Sequence, residues 1–169
     1  NDYGQPYLII ETGDFTRTTE RGFWSSGEHY IRAMVSQETR SADGQSFIVS
    51  TGRNERGFIT SKTVYGTATT YAPDSLGNVS SETDANGHTT WYDYAWGVVS
   101  KVTAPHHTTT REINPDGTVK WEERGGYKST FEYDALGREK ERRLLDVPNG
   151  EALIGDPITT TYEPNGSFV

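Results

Sequence analysis

A pair of hydroxyl-bearing residues returns every twenty positions through the middle of this chain, each time ahead of a glycine. The glycines are Gly57, Gly77, Gly97, Gly117 and Gly137. Thr70, Thr90, Thr110 and Thr130 each stand seven residues before one of them, and Thr69, Thr89, Thr109 and Ser129 stand one residue earlier. A fixed register of this kind marks a repeat protein, in which each unit stacks on its neighbours and not around one centre.

The twenty residues divide into two halves, each with its own turn. Asp74–Gly77, Asp84–Gly87, Tyr94–Gly97, Asn114–Gly117 and Asp134–Gly137 share one four-residue form. Asn54–Gly57 and Glu163–Gly166 fit it too, and Ala104–His107 fits with histidine in place of the glycine. Asp or Asn at the first position accepts bonds from the turn's own amides. Proline at the second pre-sets φ for a type I turn, and a left-handed glycine at the fourth completes a hairpin with a G1 bulge. About six residues remain between turns, the usual length of a strand. The structural turn residues are therefore Asn54, Gly57, Asp74, Gly77, Asp84, Gly87, Gly97, Asn114, Gly117, Asp134, Gly137 and Gly166.

The segments between turns agree with strands. Tyr127 to Tyr133 alternates, with Tyr127, Ser129, Phe131 and Tyr133 on one face and Lys128, Thr130 and Glu132 on the other. Ile59, Val79, Val99 and Val119 form one column two residues after their glycines, and Tyr71, Trp91 and Phe131 form another. Only 32% of the residues are hydrophobic and the mean hydropathy is −0.75, too little apolar material for a two-sheet sandwich of this length. The expectation is an all-β antiparallel meander of a dozen or more short hairpin-linked strands, polar on both faces.

Residues 1–53 read as a degenerate β region, 54–145 as regular repeats, 146–157 as an inserted loop and 158–169 as the start of a further repeat. Within the first region, Asn1–Gly4 and Ala42–Gly44 read as turns, Leu8–Ile10, Tyr30–Val35 and Phe47–Ser50 as strands, and 20–29 as an irregular connection. The best helix candidate is Glu139–Leu145. The chain reads as a piece of a longer protein.

The Tyr133-Asp134-Ala-Leu-Gly137-Arg138 run, with Asp74–Asn78 and Asp84–Thr90 as two halves of one repeat, resembles the YD repeats of bacterial Rhs proteins. Asn114–Val119 and Tyr162–Gly166 are weaker copies. The likeness is strong over about 54–140. It departs where Tyr92-Asp93-Tyr94 shifts the Tyr-Asp pair and where His107 replaces glycine. In Rhs proteins, teneurins and the C component of Tc toxins such repeats build a curved sheet strip that spirals into a hollow shell. The resemblance implies a segment of that shell, in a secreted or surface-delivered bacterial toxin-like protein. Its partners would be the rest of the parent polypeptide and a C-terminal cargo domain. It implies no catalysis by the repeats, and no self-cleavage residues carry over.

Net charge is −8, which argues against nucleic acid or an anionic membrane as main partner. With no cysteine and no zinc, calcium or phosphate-loop spacing, no cofactor or metal is expected. No apolar run approaches the roughly 18 residues of a membrane-spanning helix. His106-His107 reads as a hairpin tip, because adjacent strand residues point apart. Asp74, Asp84 and Asp134 are in phase with glycine, so they read as turn residues and not as paired catalytic carboxylates. Trp24, Trp91, Trp96 and Trp121 have faces suited to stacking on sugars. That opens an alternative, a carbohydrate- or protein-binding module, although cross-strand packing accounts for the same rings. Open strand edges without caps lead to either self-association through those edges or a piece that folds over itself.

Overall fold

The structure, a computed structural model, describes residues 4–13, 16–29 and 31–162. The predicted turn at Gly166, and all but the glycine of the predicted Asn1–Gly4 turn, lie outside these residues, as does Tyr30.

Fifteen strands and no helix make up the described residues. They fall into two compact units that divide between Thr89 and Thr90. In the first, β1 (Leu8–Thr12), β2 (Thr16–Ser26), β3 (Ile31–Ala42), β4 (Gln45–Arg53), β5 (Ile59–Val64), β6 (Thr67–Pro73) and β7 (Val79–Thr83) pair in sequence order. The second holds β8 (Thr89–Ala95), whose first residue belongs to the first unit, then β9 (Val98–Ala104), β10 (His107–Ile113), β11 (Val119–Arg124), β12 (Tyr127–Tyr133) and β13 (Glu139–Asp146). Two short strands, β14 (Ala152–Leu153) and β15 (Ile158–Thr159), share β13 as their neighbour. Every pairing is antiparallel, and the fold is the all-β meander that the register implies.

The composition shows in the burial. Among the described residues only Ala33 and Ile113 are buried apolar side chains, and no large side chain is fully buried. Thr19, Ser81 and Thr109 are buried polar groups within the sheet itself. Cohesion therefore comes from ladder hydrogen bonds and cross-strand pairs, each pair contributing roughly 0.2–1 kcal/mol. Within β12, alternation holds: Ser129 faces Leu144 and Glu122, while Lys128 faces Leu145 and Glu123.

Five turns have the backbone hydrogen bond that their sequences predict. In each, the glycine amide donates to the first residue's carbonyl: Gly57 to Asn54, Gly77 to Asp74, Gly87 to Asp84, Gly117 to Asn114 and Gly137 to Asp134, at 2.9–3.2 Å. Gly77 shows why the residue must be glycine. Its φ is +92°, and an added Cβ would stand 2.5 Å from Cε1 of Phe58, the residue that follows the preceding turn on the same end of the unit.

Three sequence readings are corrected. Glu139–Leu145 is not helical but lies in β13, because its partners Tyr127–Tyr133 offer a ladder, bulged once at Lys140, that a short isolated helix cannot match. Residues 20–26 are not an irregular connection but the end of β2, whose pairing with β3 continues across register shifts at Gly22/Phe23 and Trp24/Ser26. Tyr94–Gly97 is not a four-residue turn. Tyr94 lacks the side-chain oxygen that serves the turn amides elsewhere, and Ala95 instead pairs with Val98 around a two-residue loop. Trp96 (φ 54°) and Gly97 (φ 75°) are both left-handed, the signature of a type I′ turn, as are Asp43-Gly44, Tyr65-Gly66 and Gly125-Gly126.

A further regularity lies next to these turns. Register shifts fall at Gly52/Arg53, Ala72/Pro73, Asp93/Tyr94, Glu112/Ile113 and Glu132/Tyr133. In each case the opposing strand carries one extra residue: Thr60, Ser80, Ser100, Lys120 or Lys140. This is a β-bulge once per repeat, and it makes its column polar. Ser80 Oγ donates to the Ala72 carbonyl at 2.7 Å, and Lys120 and Lys140 pair with Glu112 and Glu132 at 2.7 and 3.5 Å. In all three the bulged residue reaches back to the residue eight positions before it.

Candidate functional site

The aspartates are the most regular titratable groups, and the turns consume them. Asp74 Oδ1 accepts the Leu76 and Asn78 amides at 2.8 and 2.9 Å, and Asp84 and Asp134 repeat the pattern with Asn86 and His88 and with Leu136 and Arg138. Each carboxyl is held below its ordinary range. The first cause is the Asn78 side-chain amide at Asp74, the His88 backbone amide at Asp84 and the Arg138 backbone amide at Asp134. Asn54 plays the same part with neutral chemistry, accepting from Arg56 and Phe58.

Asn114–Gly117 differs. There Asp116 at the third position takes the Thr118 amide and hydroxyl at 2.9 and 2.7 Å, while the Asn114 side-chain nitrogen donates to the Thr118 oxygen. A carboxylate accepts more strongly than an amide oxygen, so Asp116 displaces Asn114 from the role that its position predicts. The Thr118 hydroxyl is the first cause of the lowered Asp116 carboxyl.

The tryptophans of the second unit do not form one stripe, and Trp24 belongs to the other unit. Trp24 is half-buried beneath the Gly57 turn, where an added glycine Cβ would lie 3.7 Å from its Cζ3. Trp121 is also half-buried: its indole N–H donates to Glu112, and the Lys128 ammonium sits 5.0 Å from the ring centroid. Trp91 and Trp96 are 57% and 67% exposed. The ladders place Trp91 and Trp121 on the same face, yet three strands apart (about 14 Å) and four residues along them (about 13 Å). They do not share a stripe. Trp96 sits at a hairpin tip, as its sequence position implies.

His107 pairs with Ala104 across the Pro105-His106 loop, and that pair remains a hairpin tip. Among the described residues no group of three or more His, Asp or Glu side chains is gathered as a metal site would require, and no helix is long and apolar enough to cross a membrane. The groups that sequence reasoning missed are Asp116, the bulge column and the Phe47–Tyr65 ring pair. Only the bulge column had a visible signal, its unbroken run of polar residues three after each glycine.

No protein-family model matches the chain, and no curated protein matches it in sequence. Solved structures do match its backbone. A crystal structure of TcdB2-TccC3 superposes with a TM-score of 0.58 over 92% of this chain at 12% identity. At the level of fold, the chain resembles Tc toxin components. A TcdB2-TccC3-Cdc42 crystal structure matches over 100% of the chain with a TM-score of 0.56 and 12% identity. A Photorhabdus luminescens Tc holotoxin pore carrying a TccC3 mutation matches over 98% with a TM-score of 0.55 and 11% identity. This chain spans only 11–12% of the length of those chains.

Proposed function

We propose that this chain is a wall segment of a larger encapsulating shell, a scaffold in a secreted toxin-like protein whose repeats carry out no chemistry themselves. The observation that carries the proposal is a hairpin meander in which no large side chain among the described residues is fully buried, so both faces of each unit suit water. Such a sheet fails as half of a sandwich but serves as a partition between two aqueous spaces. The likeness to Tc toxin structures, and the share of them that the chain spans, support a part within a longer polypeptide. The aspartates bound into their own turns and the dispersed tryptophans favour this reading over an enzyme or a tryptophan-based sugar-binding module.

Electron microscopy of the longest natural polypeptide that contains these residues tests the proposal. A hollow particle with these strands in its wall is the expected result. A solid globule, or these residues folded as a separate bead outside a shell, refutes it.

A further inference from the structure

One end of the first unit carries a groove of about 330 Å³ that the wall reading does not use. It lies where the Asp43-Gly44 and Tyr65-Gly66 hairpins come side by side. Phe47 and Tyr65 meet there edge to face, with ring centroids 4.6 Å apart. Ala42 opposes Arg17 across the ladder and Phe47 opposes Arg40, so both guanidiniums stand on the face that carries the Phe47 ring.

Two independent features set this groove apart. The first is charge: the protein is acidic overall, yet among the described residues the charged groups lining the groove are Arg17 and Arg40. Glu38, outside it, holds Arg40 in place at 2.7 Å, whereas Arg17 is 4.0 Å from Glu11, too far for a hydrogen bond. The second is strain. Tyr65 is 71% exposed and takes φ 51° at a position that Asn, Asp or Gly fills without cost. Trp96 bears the same backbone cost at its own hairpin tip, so what distinguishes Tyr65 is its edge-to-face contact with Phe47 in a groove that two arginines line.

We propose that this groove binds an acidic peptide, with a carboxylate on Arg17 and an adjoining apolar side chain against Phe47 and Tyr65. A sugar fits it less well. The Ser41 and Ser46 hydroxyls bond each other at 2.8 Å, which leaves Gln45, the Tyr65 hydroxyl and the two guanidiniums, and a neutral ring offers those guanidiniums no anion. The site is independent of the wall reading and of the four tryptophans.

The test uses the whole chain and two blocked peptides, acetyl-Pro-Leu-Glu-Leu-Pro-amide and its glutamine counterpart, followed by the Gly44 and Gly66 amide shifts in NMR at low salt. Saturable shifts with the glutamate peptide are expected, with binding about tenfold weaker for the glutamine peptide and for Arg17→Gln. Tyr65→Asn should weaken binding similarly while leaving Tm unchanged or raised, an outcome that a merely structural Tyr65 would not give. Equal binding of the two peptides, full binding by Tyr65→Asn, or tighter binding of tetragalacturonate than of the glutamate peptide overturns the proposal.

Discussion

Gly77 and Gly87 are turn glycines of the same form with nearly the same φ, +92° and +83°, but their surroundings differ. A Cβ at Gly87 meets nothing within 4 Å, whereas one at Gly77 meets three Phe58 ring atoms at 2.5, 2.7 and 3.0 Å. Gly87→Ala should therefore cost only the left-handed backbone term, about 1–2 kcal/mol. Gly77→Ala adds the displacement of a ring, about 1–3 kcal/mol for overpacking, for a total of about 2–5 kcal/mol. Urea unfolding followed by circular dichroism measures both. The decisive comparison repeats Gly77→Ala in a Phe58→Ala background, where the penalty should fall back to that of Gly87→Ala. The resulting coupling energy should lie at about 1–3 kcal/mol. Equal penalties at Gly77 and Gly87, or a Gly77 penalty that persists without Phe58, would refute the idea that the Gly77 turn seats on Phe58.

Trp96→Asn relieves a left-handed tryptophan at an exposed tip and should stabilise the chain by about 1 kcal/mol, a rise of roughly 2–4 °C in Tm by thermal melt. The acid limb of stability should be set by the turns. Asp74, Asp84, Asp116 and Asp134 all have lowered folded-state values, so their contribution is complete above the unfolded carboxyl value near 3.9 and is lost as pH falls through the folded ones. Tm should stay flat from pH 7 to 5 and drop below about 4, and Asp134→Asn should flatten that drop. Edge strand β1, with Leu8 and Ile10 exposed, should drive self-association; gel filtration at two concentrations checks this, and Ile10→Lys should restore a single monomeric peak.

The glycine spacing made much of this architecture legible, because only hairpin turns demand a left-handed residue at fixed intervals. Asp74, Asp84 and Asp134 behave as their positions imply for the same reason. What stayed hidden depends on competition between neighbours. Asp116 outbids Asn114, and nothing in a one-dimensional spacing ranks two acceptors. Val119 and Trp121, two residues apart, look as though they share a face, but the bulge at Lys120 turns them to opposite faces. The bends in β2 follow from pairing with β3, which no local pattern in 20–29 reveals. The Phe47–Tyr65 contact joins two hairpins and needs the register of three strands to be seen.

The bulge column also bears on how such a chain can change length. Loss of one residue within a strand ordinarily turns every later side chain to the other face, which a buried or functional surface cannot absorb. Thr60, Ser80, Ser100, Lys120 and Lys140 are the exceptions, since each is the extra residue opposite a single partner. Removing one restores plain alternation and leaves its neighbours facing as before. Each repeat thus contains one position where nineteen residues serve as well as twenty, and copies of this unit are free to drift in length there without rewriting either face.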